Sequence, residues 1–245
     1  MQDIDPKFFA TLNRFDTPTV CNVIELFDVR PRDKGFLDPS IRSIYPKLPP
    51  ISGYATTATF RSGGPAPEGG GYASLPDQVE KFLGEVSAPR IVVFQDLDSP
   101  VVGATYGEVM CTLYKSFGCV GLVTSGASRD IEQVEKLGFP CFSSSIVSSH
   151  AYCRIEEVNV PVTIGGVTIR PGDVLHADAN GVSTIPNELV PAVALGCQPL
   201  VDAENELMNY ILSGKATVPG LHDGYAALRD ACLEIPGKIR QQLEA

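Results

Sequence analysis

Positive charge is scarce in this chain: nineteen Lys and Arg stand against twenty-nine Asp and Glu, a net charge of −10 over 245 residues. Such a balance repels nucleic acid phosphates unless a local basic patch overrides the field. The nearest approach to a patch, Arg14, Arg30, Arg32 and Lys34, is interleaved with Asp28 and Asp33, so nucleic acid is not an expected partner. The seven cysteines (21, 111, 119, 141, 153, 197, 232) are odd in number and form no Cys-x-x-Cys pair, which fits reduced, buried thiols in a cytosolic protein. His150, His176 and His222 are isolated, with no His-x-x-x-His spacing, and are expected in structural or surface roles rather than a metal site. No apolar stretch approaches the length that spans a bilayer, and the start, Met1-Gln-Asp-Ile-Asp-Pro6, lacks the basic and apolar regions of a signal peptide. The expectation is a cytoplasmic protein with no membrane partner.

Two motifs are incomplete. The glycine-rich stretch Gly63–Gly71 lacks the Gly-Lys-Ser/Thr ending of a phosphate loop and reads as a mobile surface loop or lid. Asp178-x-Asn180-Gly181 resembles part of a calcium loop, but His176 and Asn187 occupy its first and twelfth ligand positions, so Asp178 is read as a turn residue.

A hydrophobic content of 44% suffices for a packed core. Helices are expected at about 6–14 and 20–27, followed by a Pro-rich connection and a strand over 52–60. From residue 76 helix and strand alternate: helix to about 86, strand 90–94, helix 106–117, strand 119–123, helix 128–137, strand 140–142, with Gly118 and Gly138 at helix C-termini. A glycine-turn hairpin over 159–169 and strands at 174–177 and 182–185 form an antiparallel section. The rest is mostly helical, with one run from about 200 to 213. The expected fold class is α/β, a layered sandwich with a partly parallel βαβ section, an antiparallel β section and helical terminal extensions. A single domain spans 1–245: an N-terminal helical cap (1–50), an α/β core (51–186) and a C-terminal helical extension (187–245).

Ligands of open α/β sheets lie where strands pass into helices at their carboxyl ends. Two such junctions stand out. Gly103–Met110 is a glycine-bearing loop opening a helix whose free N–H groups can hold a carboxylate or phosphate. Ser125–Asp130 is the second, and adjacent parallel strands would bring the two helix starts together. A carboxylate could then be gripped by the amides near 107–110 and by Arg129, while Asp130 supplies an oxygen to a hard divalent cation. A Glu at position 108 alone would read as a helix-start residue favoured by the macrodipole; its spacing to Arg129-Asp130 favours a functional role.

Gly107-Glu108 followed by Arg129-Asp130 resembles the signature of the class II pyruvate aldolases that cleave 4-hydroxy-4-methyl-2-oxoglutarate, in the superfamily of the regulator of ribonuclease activity A. The resemblance extends through Gly53-x-Ala55-x-Thr57, Gly126-x-x-Arg129-Asp130, Pro161-Val162, Gly165-Gly166-Val167, Pro171-Gly172-Asp173 and Ala177-Asp178-x-x-Gly181-Val182. It implies the superfamily's swivelling β/β/α fold and trimers or hexamers with sites between subunits. It implies that Arg129 holds the substrate carboxylate, that Asp130 binds Mg²⁺ or Mn²⁺, and that Gly107, Glu108, Val109 and Met110 form the substrate loop. Glu108 would touch the metal through water, and a neighbouring subunit would add an acidic residue, matched here by Glu204, with Glu206 nearly as good. Two departures stand against it: Ser125 and Asn22 occupy positions where the superfamily commonly has Asp. Neither is a proposed metal or carboxylate contact.

The implied reaction is retro-aldol cleavage of a 4-hydroxy-2-oxo dicarboxylic acid to pyruvate through a metal-stabilised enolate, with Glu108, Arg129 and Asp130 catalytic and oxaloacetate decarboxylation as a side activity. A metal-linked water polarised by Glu108 would take the proton of the 4-hydroxyl. No lysine sits in a Schiff-base motif. The superfamily also contains non-catalytic members that bind a ribonuclease, which is the alternative function; those depart at the metal position, intact here as Asp130.

Overall fold

The computed structural model describes residues 3–68 and 73–244. Two short helices open the chain, α1 (Pro6–Leu12) and α2 (Thr17–Leu26), each with Pro in its first turn and an Asp at its N-cap. Strand β1 (Arg42–Ser43) leads to β2 (Ile51–Arg61), α3 (Leu75–Glu85) and β3 (Arg90–Asp96). Next come β4 (Ala104–Tyr106), α4 (Glu108–Ser116), β5 (Cys119–Thr124), β6 (Ala127–Ser128), α5 (Ile131–Leu137), β7 (Cys141–Ser143) and β8 (Ser145–Ile146). The antiparallel part holds β9 (Arg154–Val158), the hairpin β10 (Val162–Ile164) and β11 (Val167–Ile169), and the pair β12 (Val174–Asp178) and β13 (Gly181–Ile185). Two long helices close the chain, α6 (Val190–Leu212) and α7 (Val218–Glu244).

The main sheet runs β1-β7-β5-β3-β2-β12-β13. Its middle, β2, β3, β5 and β7, is parallel. The eleven-residue β2 is antiparallel to β12 over its first half and to β9 over its second. Strands β3 and β5 read as near-continuous apolar runs because both faces are covered. Val92, Phe94 and Leu122 face a core shared with α3, α4 and α5, whereas Ile91, Val93 and Val123 face a core shared with the β10–β11 hairpin. Burying a side chain such as Phe94 or Leu122 stabilises the fold by about 2 kcal/mol. A third core joins α1, α2, α6 and α7 to Tyr54, Val174 and Ile185 at the antiparallel end. There the buried His176 ring contacts Thr17 Oγ1 at 2.9 Å and the Leu12 carbonyl at 3.2 Å, a structural role as expected. Asp178 Oδ1 accepts from Asn180 N–H at 2.8 Å, the turn geometry expected, and its Oδ2 also accepts from Thr17 N–H at the start of α2.

Several boundaries and one strand differ from expectation. The helix expected over 106–117 begins at Glu108 because Ala104–Tyr106 is β4, and the helix expected over 128–137 begins at Ile131 because Ala127–Ser128 is β6. With β8 they form a separate three-stranded parallel sheet in which β6 pairs with both β4 and β8. The helix expected from about 200 starts at Val190, with Pro191 harmless in its first turn and Pro199 accommodated inside it. Strand β9 was not expected at all. The lid expectation at Gly63–Gly71 falls in part on residues 69–71, outside the described residues; Gly63 N–H itself is held by Asp98 Oδ2 at 2.8 Å. No described helix is long and apolar enough to cross a membrane.

Candidate active site

The small β4-β6-β8 sheet sets the two predicted junctions side by side. Strand β4 ends at Tyr106 and passes through Gly107 into α4; β6 ends at Ser128 and passes through Arg129-Asp130 into α5. Gly107 is the N-cap of α4 and, lacking a side chain, offers no cap oxygen. Asp130 supplies it from across the junction: its Oδ2 accepts from Glu108 N–H at 2.9 Å. A carboxylate at a helix start is favoured by the macrodipole and satisfies one of the first-turn donors. Asp130 reaches this position from a left-handed backbone conformation (φ 55), which Asp tolerates better than most residues.

Arg129 Nε lies 3.8 Å from the same Asp130 oxygen. Its terminal guanidinium nitrogens have no acceptor among the described residues and present a planar fork suited to an incoming carboxylate. The Arg129 and Asp130 side chains are 33% and 37% exposed. Gly107 is required for the fit: a Cβ there would lie 3.0 Å from Arg129 Nε and closer still, inside any real Cβ contact, to Asp130 Oδ2. Glu108 is exposed at the rim, and the Val109 side chain is 77% exposed. The Met110 side chain packs toward the helix-side core, which leaves its backbone N–H as the group it turns toward the junction. The structure therefore brings Gly107, Glu108, Val109, Met110, Arg129 and Asp130 together as predicted.

Glu204 is placed elsewhere. It sits on α6, which packs against α1, α2 and α7, and after burial its charge is the further cause that pushes the Cys232 thiol on α7 up. Within one chain it does not join Asp130. Among the described residues no group of three His, Cys, Asp or Glu side chains could hold a metal ion. The donor set at the junction, one carboxylate with a second acidic residue at the rim, fits Mg²⁺ or Mn²⁺, which keep several waters and take one or two carboxylates. It does not fit zinc, which wants a closed set of nitrogen or sulfur ligands.

One acidic residue at this end of the sheet escaped the sequence reading. Asp96 terminates β3, and its Oδ2 is buried with no hydrogen-bond partner in the structure. Its Oδ1 accepts from Asp98 N–H at 2.9 Å, and Ser125 Oγ accepts from Asp96 N–H at 2.9 Å. Burial holds the Asp96 carboxyl above the ordinary carboxylate range. The available signal was an acidic residue closing the apolar run Ile91–Phe94 at the carboxyl end of a parallel strand. A carboxyl whose folded-state pKa is raised contributes stability that is full below the unfolded value, about 3.9, and is lost as pH rises through the folded value. Asp96→Asn should therefore match the parent chain in acid and exceed it in melting temperature near pH 8, by about 3 °C. Equal shifts at both pH values would show that ionisation of Asp96 carries no cost.

A family model named RraA-like and described as Aldolase/RraA matches residues 17–183, more than half of the chain. The chain belongs to the RraA-like family. Within it, a Halalkalibacterium halodurans protein provisionally named 4-hydroxy-4-methyl-2-oxoglutarate aldolase is 36% identical over 101 residues, covering 41% of this chain and 48% of that protein. Legionella pneumophila protein DlpA is 30% identical over 148 residues, 56% of this chain and 23% of DlpA. The chain thus spans about half the length, or less, of these curated relatives. Among solved structures, an uncharacterized protein from Pseudomonas syringae pv. tomato superposes with a TM-score of 0.71 at 22% identity, covering 92% of this chain and 95% of that one, and shares the fold. Streptomyces coelicolor RraAS2, described as an unusual member of the RNase ES inhibitor RraA protein family, gives 0.62 at 25% identity over 78% of this chain and 91% of its own. The mixed sheet of this RraA-like chain, partly parallel and partly antiparallel with C-terminal helices, is the fold expected from its sequence.

Proposed function

We propose that this RraA-like chain is a divalent-metal-dependent aldolase that cleaves a 4-hydroxy-2-oxo dicarboxylic acid of the 4-hydroxy-4-methyl-2-oxoglutarate type to pyruvate, with oxaloacetate decarboxylation alongside. The observation that carries this reading is the junction at which Glu108 N–H, Asp130 Oδ2 and Arg129 Nε converge around a glycine that leaves no room for a side chain. Asp130, Glu108 through water, and an acidic residue of a neighbouring subunit, for which Glu204 is the candidate, would hold Mg²⁺ or Mn²⁺, which would supply Lewis-acid polarisation of the 2-oxo group.

The chain's own residues do the rest. The guanidinium of Arg129 binds the C1 carboxylate and, with the first-turn amides of α4, fixes the 2-oxo acid in the plane of the junction. Glu108 accepts, through a water, the proton of the 4-hydroxyl. As that proton leaves, the C4 oxygen forms a carbonyl, the C3–C4 bond breaks and its electron pair moves onto C3 and the 2-oxo oxygen as an enolate. The positive charge of Arg129 stabilises the negative charge spreading over the carboxylate and enolate. Returning the proton to C3 completes pyruvate. Loss of CO₂ from C4 of oxaloacetate leaves the same enolate, which is why one site serves both reactions.

The open face of the junction supports an oligomer. Pockets for small ligands bury most of the ligand surface, and with Val109 77% exposed a single chain encloses only one side of a 2-oxo acid. A trimer or hexamer, with a neighbouring subunit closing the other side, answers this.

The testing experiment measures pyruvate release from a panel of 4-hydroxy-2-oxo acids and oxaloacetate with Mg²⁺ or Mn²⁺, then with excess chelator. The proposal expects release that the chelator abolishes and added metal restores. The second reading, a non-catalytic regulator that binds a ribonuclease, draws on the likeness to RraAS2. It expects no turnover anywhere in the panel together with tight ribonuclease binding.

A further inference from the structure

Asp96, at the carboxyl end of β3, is a buried acidic group to which the proposed chemistry gives no task. Its Oδ2 faces the space that a side chain at residue 126 would fill: a Cβ built on Gly126 lies 2.8 Å from Asp96 Oδ2 and nearer still to Thr105 Oγ1. Thr105 precedes Gly107 by two residues and Gly126 precedes Arg129 by three, so this space lies at the root of both loops. The hydroxyls around it are already ordered. Gly126 N–H donates to Thr124 Oγ1 at 2.9 Å, and Thr124 Oγ1 donates to Thr105 Oγ1 at 3.2 Å.

The charged groups facing Asp96 are Asp98 and Arg61, and Arg61 donates to Asp98 at 3.1 Å rather than to Asp96. Among the described residues, the neighbours from β4 and β5 and the turn after it, Thr105, Thr124 and Ser125, are neutral. An ionised carboxylate here would carry its charge on a buried oxygen with no donor, an arrangement that costs stability. The neutral acid instead has an O–H to offer to a hydroxyl oxygen of this cluster. A buried polar group kept at such cost beside a ligand junction has a positioning role as its simplest physical explanation.

We propose that Asp96, in its neutral form, is a positioning residue that holds the Gly107–Glu108 loop and the Arg129–Asp130 loop at their working separation through Thr105 and the Gly126 turn. This deepens the aldolase reading and rests on it for its kinetic consequences, but not for its structural ones. Loss of the spacer displaces groups that must meet a small substrate, and a shift of about 1 Å costs about 100-fold in rate.

The test compares Asp96→Ala and Asp96→Asn with the parent protein, with Mg²⁺ present, in kcat and KM from pH 5 to 9 and in hydrogen-exchange protection of the Glu108 amide. Asp96→Ala should lower kcat about 100-fold with a smaller change in KM and reduce Glu108 protection about tenfold. The parent should show a fall in kcat at alkaline pH, and Asp96→Asn, a neutral isostere that can donate, should keep kcat within about threefold at neutral pH and lose that fall. Two results would overturn the proposal: Asp96→Asn as damaging as Asp96→Ala, which would mean a working carboxylate, or Asp96→Ala matching the parent in every measurement. If the parent releases no pyruvate, the aldolase reading has failed, and Glu108 protection in the two variants still decides the role of Asp96.

Discussion

Replacing Asp130 with Ala is expected to lower pyruvate release by about 10³-fold or more while the protein remains folded. Two effects act together. The variant loses the carboxylate that the reading assigns to the metal, and it loses the acceptor that satisfies Glu108 N–H at the start of α4. The second effect alone is small, of the order of 1 kcal/mol for a helix cap. Asp130→Asn separates them, because the amide oxygen can still accept from Glu108 while the charge is gone. Turnover by Asp130→Asn within tenfold of the parent would mean that Asp130 serves α4 rather than a cation. Kinetics should be read beside thermal denaturation, so that a stability loss is not mistaken for a chemical one.

The second large effect comes from a single added carbon. Gly107 has an extended backbone (φ −152, ψ −166) that any residue adopts, so Gly107→Ala introduces no backbone strain. Its Cβ nevertheless would sit 3.0 Å from Arg129 Nε and closer to Asp130 Oδ2. The pair must move, and moving catalytic groups by about 1 Å is expected to cut kcat/KM about 100-fold. Because the Asp130 side chain is 37% exposed and can swing outward, stability should fall only slightly. Near-normal kcat/KM in Gly107→Ala would show that the spacing of the junction is not what sets activity.

Much of this arrangement was readable in the chain because it depends on local order. Gly107-Glu108 and Arg129-Asp130 each lie in the glycine-bearing connection between a readable strand, β3 or β5, and the helix that follows, so their place beyond the carboxyl ends of those strands could be inferred without knowing the rest of the fold. The runs Ile91–Phe94 and Gly121–Val123 show as apolar blocks because helices cover one face and the β10–β11 hairpin the other. Elements of two or three residues were not readable: β4, β6 and β8 are too short for any periodicity, yet they bring the two junctions together. Strand β9, Arg-Ile-Glu-Glu-Val, carries three charges in five residues, which masks its strand pattern. The start of α6 is masked in sequence by Pro191 and Pro199, although Pro191 sits in its first turn, where proline is tolerated.

Asp96 illustrates a different limit. An Asp closing a strand is ordinary in sequence, and its significance comes from what surrounds it: Ser125 and Gly126 from β5 and its turn, Thr105 from β4, and a missing partner for Oδ2. None of these is near it in the chain. The acidic residue proposed from a second subunit has the same character, since Glu204 lies on α6 and is not brought to the Asp130 junction within a single chain.

Oxalate binding measured by calorimetry tests the central claim most directly, because oxalate is a planar dianion with the shape and oxygen placement of the pyruvate enolate and should bind as a mimic of the state the site stabilises. The account predicts binding that requires Mg²⁺ or Mn²⁺, is lost in Asp130→Ala and is weakened at least about tenfold in Arg129→Met, which removes the guanidinium fork. Oxalate binding of equal strength without metal, or unchanged in Asp130→Ala, would contradict it.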